Sequence, residues 1–101
     1  MPLESKFQAD LIKDLKKRFP GCVVLKNDSS YMQGILDLTV FYGVHWAMLE
    51  VKRKPPRPGT DDFEPNQEYY IELLNDMSFA ACIYPENKRE VLTSLNRFFQ
   101  N

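Results

Sequence analysis

An α/β domain is predicted by three changes of hydrophobic period along 101 residues. Leu3, Phe7, Leu11, Leu15 and Phe19 recur every fourth residue, the spacing of one helix face. Two alternating runs, Leu36–Tyr42 and Trp46–Lys52, flank Gly43-Val44-His45, the pattern of a β-hairpin. Phe79–Tyr84 is a continuous apolar run, as in a strand buried on both faces, and helical stretches lie on either side of it. The predicted order is α-β-β-β-α-β-α, in one domain spanning residues 1–101 and large enough for a single core.

Each element has local cues. The first helix covers residues 3–19, with Ile12 beside its stripe. Lys6, Lys13, Lys16, Lys17 and Arg18 fill its outer face, and Pro20-Gly21 ends it. Cys22–Leu25 reads as a short first strand, and Asn27-Asp28-Ser29-Ser30 as a polar loop leading to Gly34. After the hairpin, the proline-rich stretch Pro55–Asp62 suits neither helix nor strand interior and reads as a mobile surface loop. Pro65 is placed in the first turn of a helix reaching about Asn75, with Tyr70, Ile71 and Leu74 as its stripe. Asn87 with Glu90 three residues on resembles a capping box for the last helix, whose buried face is Val91, Leu92, Leu95, Phe98 and Phe99.

Composition bounds the function. Hydrophobic content of 44% and charged content of 27% are ordinary for a soluble globular chain. No apolar run approaches a membrane span and no signal-peptide core is visible, so the expected compartment is the cytoplasm. Cys22 and Cys82 form no CxxC or Cys/His cluster and are expected to be small buried side chains. A single histidine, His45, argues against a histidine zinc site or a Ser-His-Asp triad. The net charge of −1 excludes attachment to nucleic acid by bulk charge alone, but it is unevenly spread. Residues 1–57 hold ten Lys/Arg against six Asp/Glu, and residues 58–101 hold three against eight, which is compatible with one basic face.

The hairpin carries the chemistry. If Gly43-Val44 is a two-residue type II′ turn, Tyr42 faces His45, and counting outward puts Asp37 opposite Glu50. A four-residue loop keeps this register and a three-residue loop breaks it. Directly opposed like charges destabilise a sheet, and Asp37 sits in an otherwise apolar strand, where an unpaired charge is costly. Lys52, two residues from Glu50, projects from the same face. Two carboxylates and an ammonium on one patch suit a hard divalent cation.

These residues resemble a known family. Glu4 and Gln8 on the first helix, then Gly34-Ile35-Leu36-Asp37, Glu50-Val51-Lys52, and Gln67 with Tyr70, look like the PD-(D/E)XK nucleases. The VRR-NUC branch is the most similar; it includes stand-alone phage enzymes and relatives of Holliday-junction resolvases. The resemblance covers nearly the whole chain and implies a restriction-endonuclease-like fold around a mixed central sheet. It also implies DNA phosphodiester hydrolysis with Mg2+ or Mn2+, in the host cytoplasm if the protein is phage-encoded. Carried over by position, Asp37, Glu50 and the Val51 carbonyl would hold the metal, with Glu4 as a further ligand. Lys52 would orient the attacking water or stabilise charge on the phosphorus, and Gln67 would support the site. Leu36 departs from the family pattern by standing where proline usually precedes the aspartate.

Several of these residues have ordinary roles as well. Glu4 is a favourable charge near a helix N-terminus, and Gln67 suits a local hydrogen bond in a first turn. Arg53, Lys54 and Arg57 are placed to clamp phosphates or to be solvated loop charges. Tyr31, Trp46 and Tyr69 are expected in core or interface packing, with base stacking as the alternative. The expected function is a homodimeric, metal-dependent endonuclease on branched DNA such as Holliday junctions. A nicking or ordinary nuclease of replication, repair or packaging, a non-catalytic DNA-binding module and a structural interaction domain remain the alternatives.

Overall fold

The computed structural model describes residues 3–101, with side chains from Glu4 onward. The chain runs α1 (Leu3–Arg18), β1 (Val23–Lys26), β2 (Leu38–Tyr42), β3 (His45–Val51), α2 (Gln67–Met77), β4 (Phe79–Ile83), a 3-10 turn (Pro85–Asn87) and α3 (Lys88–Gln100). The strands form one mixed sheet in the order β1-β2-β3-β4. The first three make an antiparallel meander, and β4 lies parallel to β3 after the α2 crossover that a parallel pair requires. This is the predicted order of elements, with a mixed central sheet.

The hairpin forms in the expected register. Gly43 takes φ 61° while Val44 keeps a negative φ, as a type II′ turn needs, and Tyr42 pairs with His45. Alternation then sorts the sheet into two faces. Leu38, Val40, Ala47, Leu49 and Val51 point to the main core, where Leu11, Leu15 and Phe19 of α1 meet Val91, Leu92, Leu95 and Phe99 of α3. The Lys88 ammonium, 2.7 Å from the Asp14 carboxylate, ties the start of α3 to α1. On the opposite face a smaller cluster forms where Leu74, Tyr70 and Ile71 of α2 pack with Leu36, Met48 and Ala80.

The structure departs from expectation at several points. Strand β2 begins at Leu38, so Asp37 is a bend residue just before the strand rather than inside it. Pro65 lies outside α2, because Asn66 takes a left-handed conformation (φ 72°) and helical geometry starts only at Gln67. Asn87 precedes α3 without capping it. Its side-chain Oδ1 instead accepts the Tyr84 N–H at 2.8 Å and its side-chain Nδ2 donates to the Cys82 carbonyl at 3.0 Å, closing the turn after β4. Cys22 and Cys82 are half-buried rather than buried, and both are free thiols. Tyr31 is 87% exposed and Tyr69 is 62% exposed, so neither belongs to the core.

Candidate functional site

Asp37 is held at both ends of its residue. The Asn27 backbone N–H donates to the Asp37 carbonyl at 2.8 Å. The Asn27 side-chain amide donates to the Leu36 carbonyl at 2.9 Å and to the Thr39 hydroxyl at 2.8 Å. With its backbone fixed in this way, Asp37 directs Oδ2 across the hairpin, where it accepts the Val51 N–H at 2.8 Å. Leu38 pairs with Leu49, so Asp37 and Glu50 meet one rung beyond the last strand pair.

Glu50 is only 2% exposed and shares the α2 face of the sheet with Met48. Its Oε2 accepts the Gln67 amide at 2.8 Å and lies 3.4 Å from the Lys52 ammonium. Its Oε1 is buried and meets no N–H or hydroxyl donor among the described residues. Gln67 is itself buried, and its Oε1 accepts the Glu64 N–H at 2.9 Å, which leaves the amide nitrogen for Glu50. Gln67 therefore makes both the local hydrogen bond and the contact to the acidic pair. The Lys52 ammonium lies 5.8 Å from the centre of the Phe63 ring, within cation–π range.

A close approach of two loops brings Gln67 to Glu50. Gly34 has φ 91°, and a Cβ placed there would stand 2.6 Å from both the Asn66 Cβ and the Pro65 carbonyl oxygen. Only glycine tolerates both the conformation and the contact. The segment leading to Asp37 thus rests directly on the turn that launches α2.

The electrostatics are those of a crowded acidic pair. Burial, joined by the Asp37 carboxylate, pushes the Glu50 carboxyl up to about 8, while Lys52 and Gln67 oppose the shift. Asp37 is also raised, because burial outweighs the stabilising Val51 N–H, the Lys52 charge and a side-chain hydrogen bond shared with Glu50. Cys82 pairs with Glu50 in the parallel register, and its thiol is pushed up to about 12 by burial and then by the Glu50 charge.

The other expected site residues lie around this pair. Exposed Glu4 and the chain from Lys52 to Pro56 line one cleft together with Asp62, so Glu4 stands at its rim rather than in the buried pair. Arg53 and Lys54 are exposed. Arg57 is already engaged: its Nε donates to Asp62 Oδ2 at 2.9 Å, and Asp62 is lowered to about 2 by that partner. The proline-rich loop is fastened further by the Gly59 N–H donating to Glu68 at 3.0 Å.

Among the described residues, no three His, Cys, Asp or Glu side chains form a metal cage. Mg2+ keeps several waters and typically takes one or two carboxylates. Asp37 and Glu50 fit that demand, and Glu50 Oε1, which has no fixed donor among the described residues, is the oxygen a cation would satisfy. Sequence reasoning missed Asn27 and Phe63. The first reads as a generic loop residue, and the second lies in a loop with no periodicity to place it. Comparison with known families, curated proteins and solved structures finds no match to this chain.

Proposed function

We propose that this chain is a metal-dependent endodeoxyribonuclease with a restriction-endonuclease-like fold of the PD-(D/E)XK kind, closest in its motifs to the VRR-NUC branch. The observation that carries the reading is the buried Glu50–Asp37 carboxyl pair, hydrogen-bonded to each other, with no fixed donor on Glu50 Oε1 among the described residues and with Lys52 and Gln67 on the other Glu50 oxygen. A structural carboxylate at 2% exposure would be expected to have both oxygens satisfied. This one has no fixed donor on Oε1 among the described residues, and its neighbour is a second acid that shares a hydrogen bond with it.

In this reading Asp37, Glu50 and the Val51 carbonyl hold Mg2+ or Mn2+, with Glu4 assisting from the rim. The bound cation supplies charge neutralisation on the phosphate and an activated water. Lys52 lies between Glu50 and the Phe63 ring, placed to orient the nucleophile and to offset charge on the phosphorus. Gln67 keeps Glu50 from rotating, and the Val51 N–H does the same for Asp37. Arg53 and Lys54 attract the DNA backbone, and Arg57 contributes when released from Asp62. The substrate proposed is branched DNA, cut by a homodimer whose two sites act on the two strands.

The test is cleavage of labelled four-way junction, flap, duplex and single-stranded DNA in Mg2+, Mn2+ or EDTA. Wild-type protein should cut in metal and stop in EDTA, while Asp37→Asn, Glu50→Gln and Lys52→Ala lose activity and keep their far-UV circular dichroism. Full activity of folded Asp37→Asn protein in Mg2+ would overturn the assignment. Equal cutting of duplex and junction would remove the branched-DNA part and leave the metal chemistry.

A further inference from the structure

Helix α2 covers only half of its face of the sheet. On that face the cross-strand rows read Val23–Phe41–Trp46 and Leu25–Thr39–Met48–Ala80. The helix packs against the inner ends of these rows, near Trp46, Met48 and Ala80. The outer ends are open: Val23 is 52%, Leu25 48% and Phe41 42% exposed. The loop after β1 extends the same surface, since Tyr31, Met32 and Ile35 line a cleft with Met48.

We propose that this open half-face is where a second copy of the chain docks about a two-fold axis. Val23, Leu25, Tyr31, Met32 and Phe41 together present on the order of 500 Å2, at the upper end of what a monomer leaves in one apolar patch. Two such faces apposed bury on the order of 1,000 Å2, the lower threshold for a specific interface and the range of a weak dimer. The rows contain no charged side chain, and the cleft adds only the acid Asp28. A surface with an acid and no base is a poor match for phosphates, whereas a neutral sheet face is its own complement under two-fold symmetry. The edge strand β1 packs Val24 on the main core and presents its other face, through Val23 and Leu25, to the contact.

The inference deepens the homodimer part of the proposed function and is independent of its metal chemistry. Light scattering and sedimentation equilibrium over a micromolar concentration series test it. Wild-type protein should be a dimer, and Leu25→Glu/Phe41→Glu should raise the dissociation constant at least tenfold. Val44→Glu, at the hairpin tip where Val44 is 94% exposed, should leave it unchanged. If the double variant does not fold, Val23→Lys alone should weaken the dimer in the same direction. A monomeric wild type, or a double variant that folds and dimerises as tightly as wild type, overturns the surface. Metal-induced thermal stabilisation of the same samples separates the two readings. A monomer that keeps it sinks the docking face and the homodimer and leaves the metal site standing, and a dimer that lacks it sinks only the metal site.

Discussion

Replacing Glu50 by Gln should stabilise the metal-free protein and flatten its response to pH. The Glu50 carboxyl is raised from 4.5 to about 8 by burial and by Asp37. The folded state therefore holds a proton that the unfolded chain has released, and stability falls as pH rises through this window. The contribution is intact below 4.5 and lost by the time the folded carboxyl ionises near 8. At 1.36 kcal/mol per unit, the loss between pH 5 and pH 8 has an upper bound of about 3 to 4 kcal/mol. Half of that would lower the melting temperature of a domain this size by about 10 °C. Glu50→Gln keeps the shape and the acceptor for the Gln67 amide but never ionises, so its melting temperature should fall much less over the same range, the remainder coming from Asp37.

Calorimetry from pH 5 to pH 8, without metal and with saturating Mg2+, reads all four conditions. Mg2+ should restore the wild type at high pH, because a ligand at a hundredfold excess over its Kd adds about 2.7 kcal/mol. It should do little for Glu50→Gln. Parallel pH slopes for wild type and variant in EDTA would refute the reasoning, since they would mean that Glu50 ionises as easily folded as unfolded.

Gly34→Ala should destabilise the fold by about 2 kcal/mol or more, combining a positive-φ penalty with the 2.6 Å clash at Pro65 and Asn66; an unchanged urea midpoint would contradict it. Cys82, whose thiol is pushed up to about 12, should resist iodoacetamide in native protein at pH 8 and react once unfolded. Rapid native labelling, read by mass spectrometry, would show that the thiol is not held down by its surroundings. Charge reversal of Arg53 and Lys54 should weaken DNA binding and lower the salt slope by about one per lost phosphate contact. Reversal of Arg57 should cost less, because Asp62 already competes for that side chain. Equal losses in titrations at several salt concentrations would mean that Arg57 leaves Asp62 freely.

The acidic pair was legible because its geometry follows from local rules. A glycine that accepts positive φ fixes the turn, the turn fixes the register, and period-two alternation carries that register out to Asp37 and Glu50. The helix faces were legible for the same reason, as Leu11, Leu15 and Phe19 occupy the core in the order their spacing requires. What sequence did not reveal depends on contacts between distant segments. Asn27 looks like any polar loop residue until Thr39, twelve positions later, is brought beside it. Pro65 looks like a first-turn proline until Asn66 is turned left-handed against Gly34. Tyr31 carries no sign in its neighbours that one side of the sheet stays open.

Those non-local contacts explain why the pair can persist despite its electrostatic cost. Opposed carboxylates on an isolated hairpin would splay apart or draw in water. Here Asp37 is held from behind by Asn27 and from across the hairpin by the Val51 N–H. Glu50 is held by a glutamine whose own carbonyl is fixed on Glu64. Each restraint comes from a different part of the chain, so folding of the whole domain supplies the energy that keeps the acids together. A hairpin peptide spanning residues 34–54 should accordingly bind Mg2+ much more weakly than the intact chain, because it lacks both Asn27 and Gln67. Comparable affinities by isothermal titration would show that the hairpin alone organises the site and that the surrounding restraints are incidental.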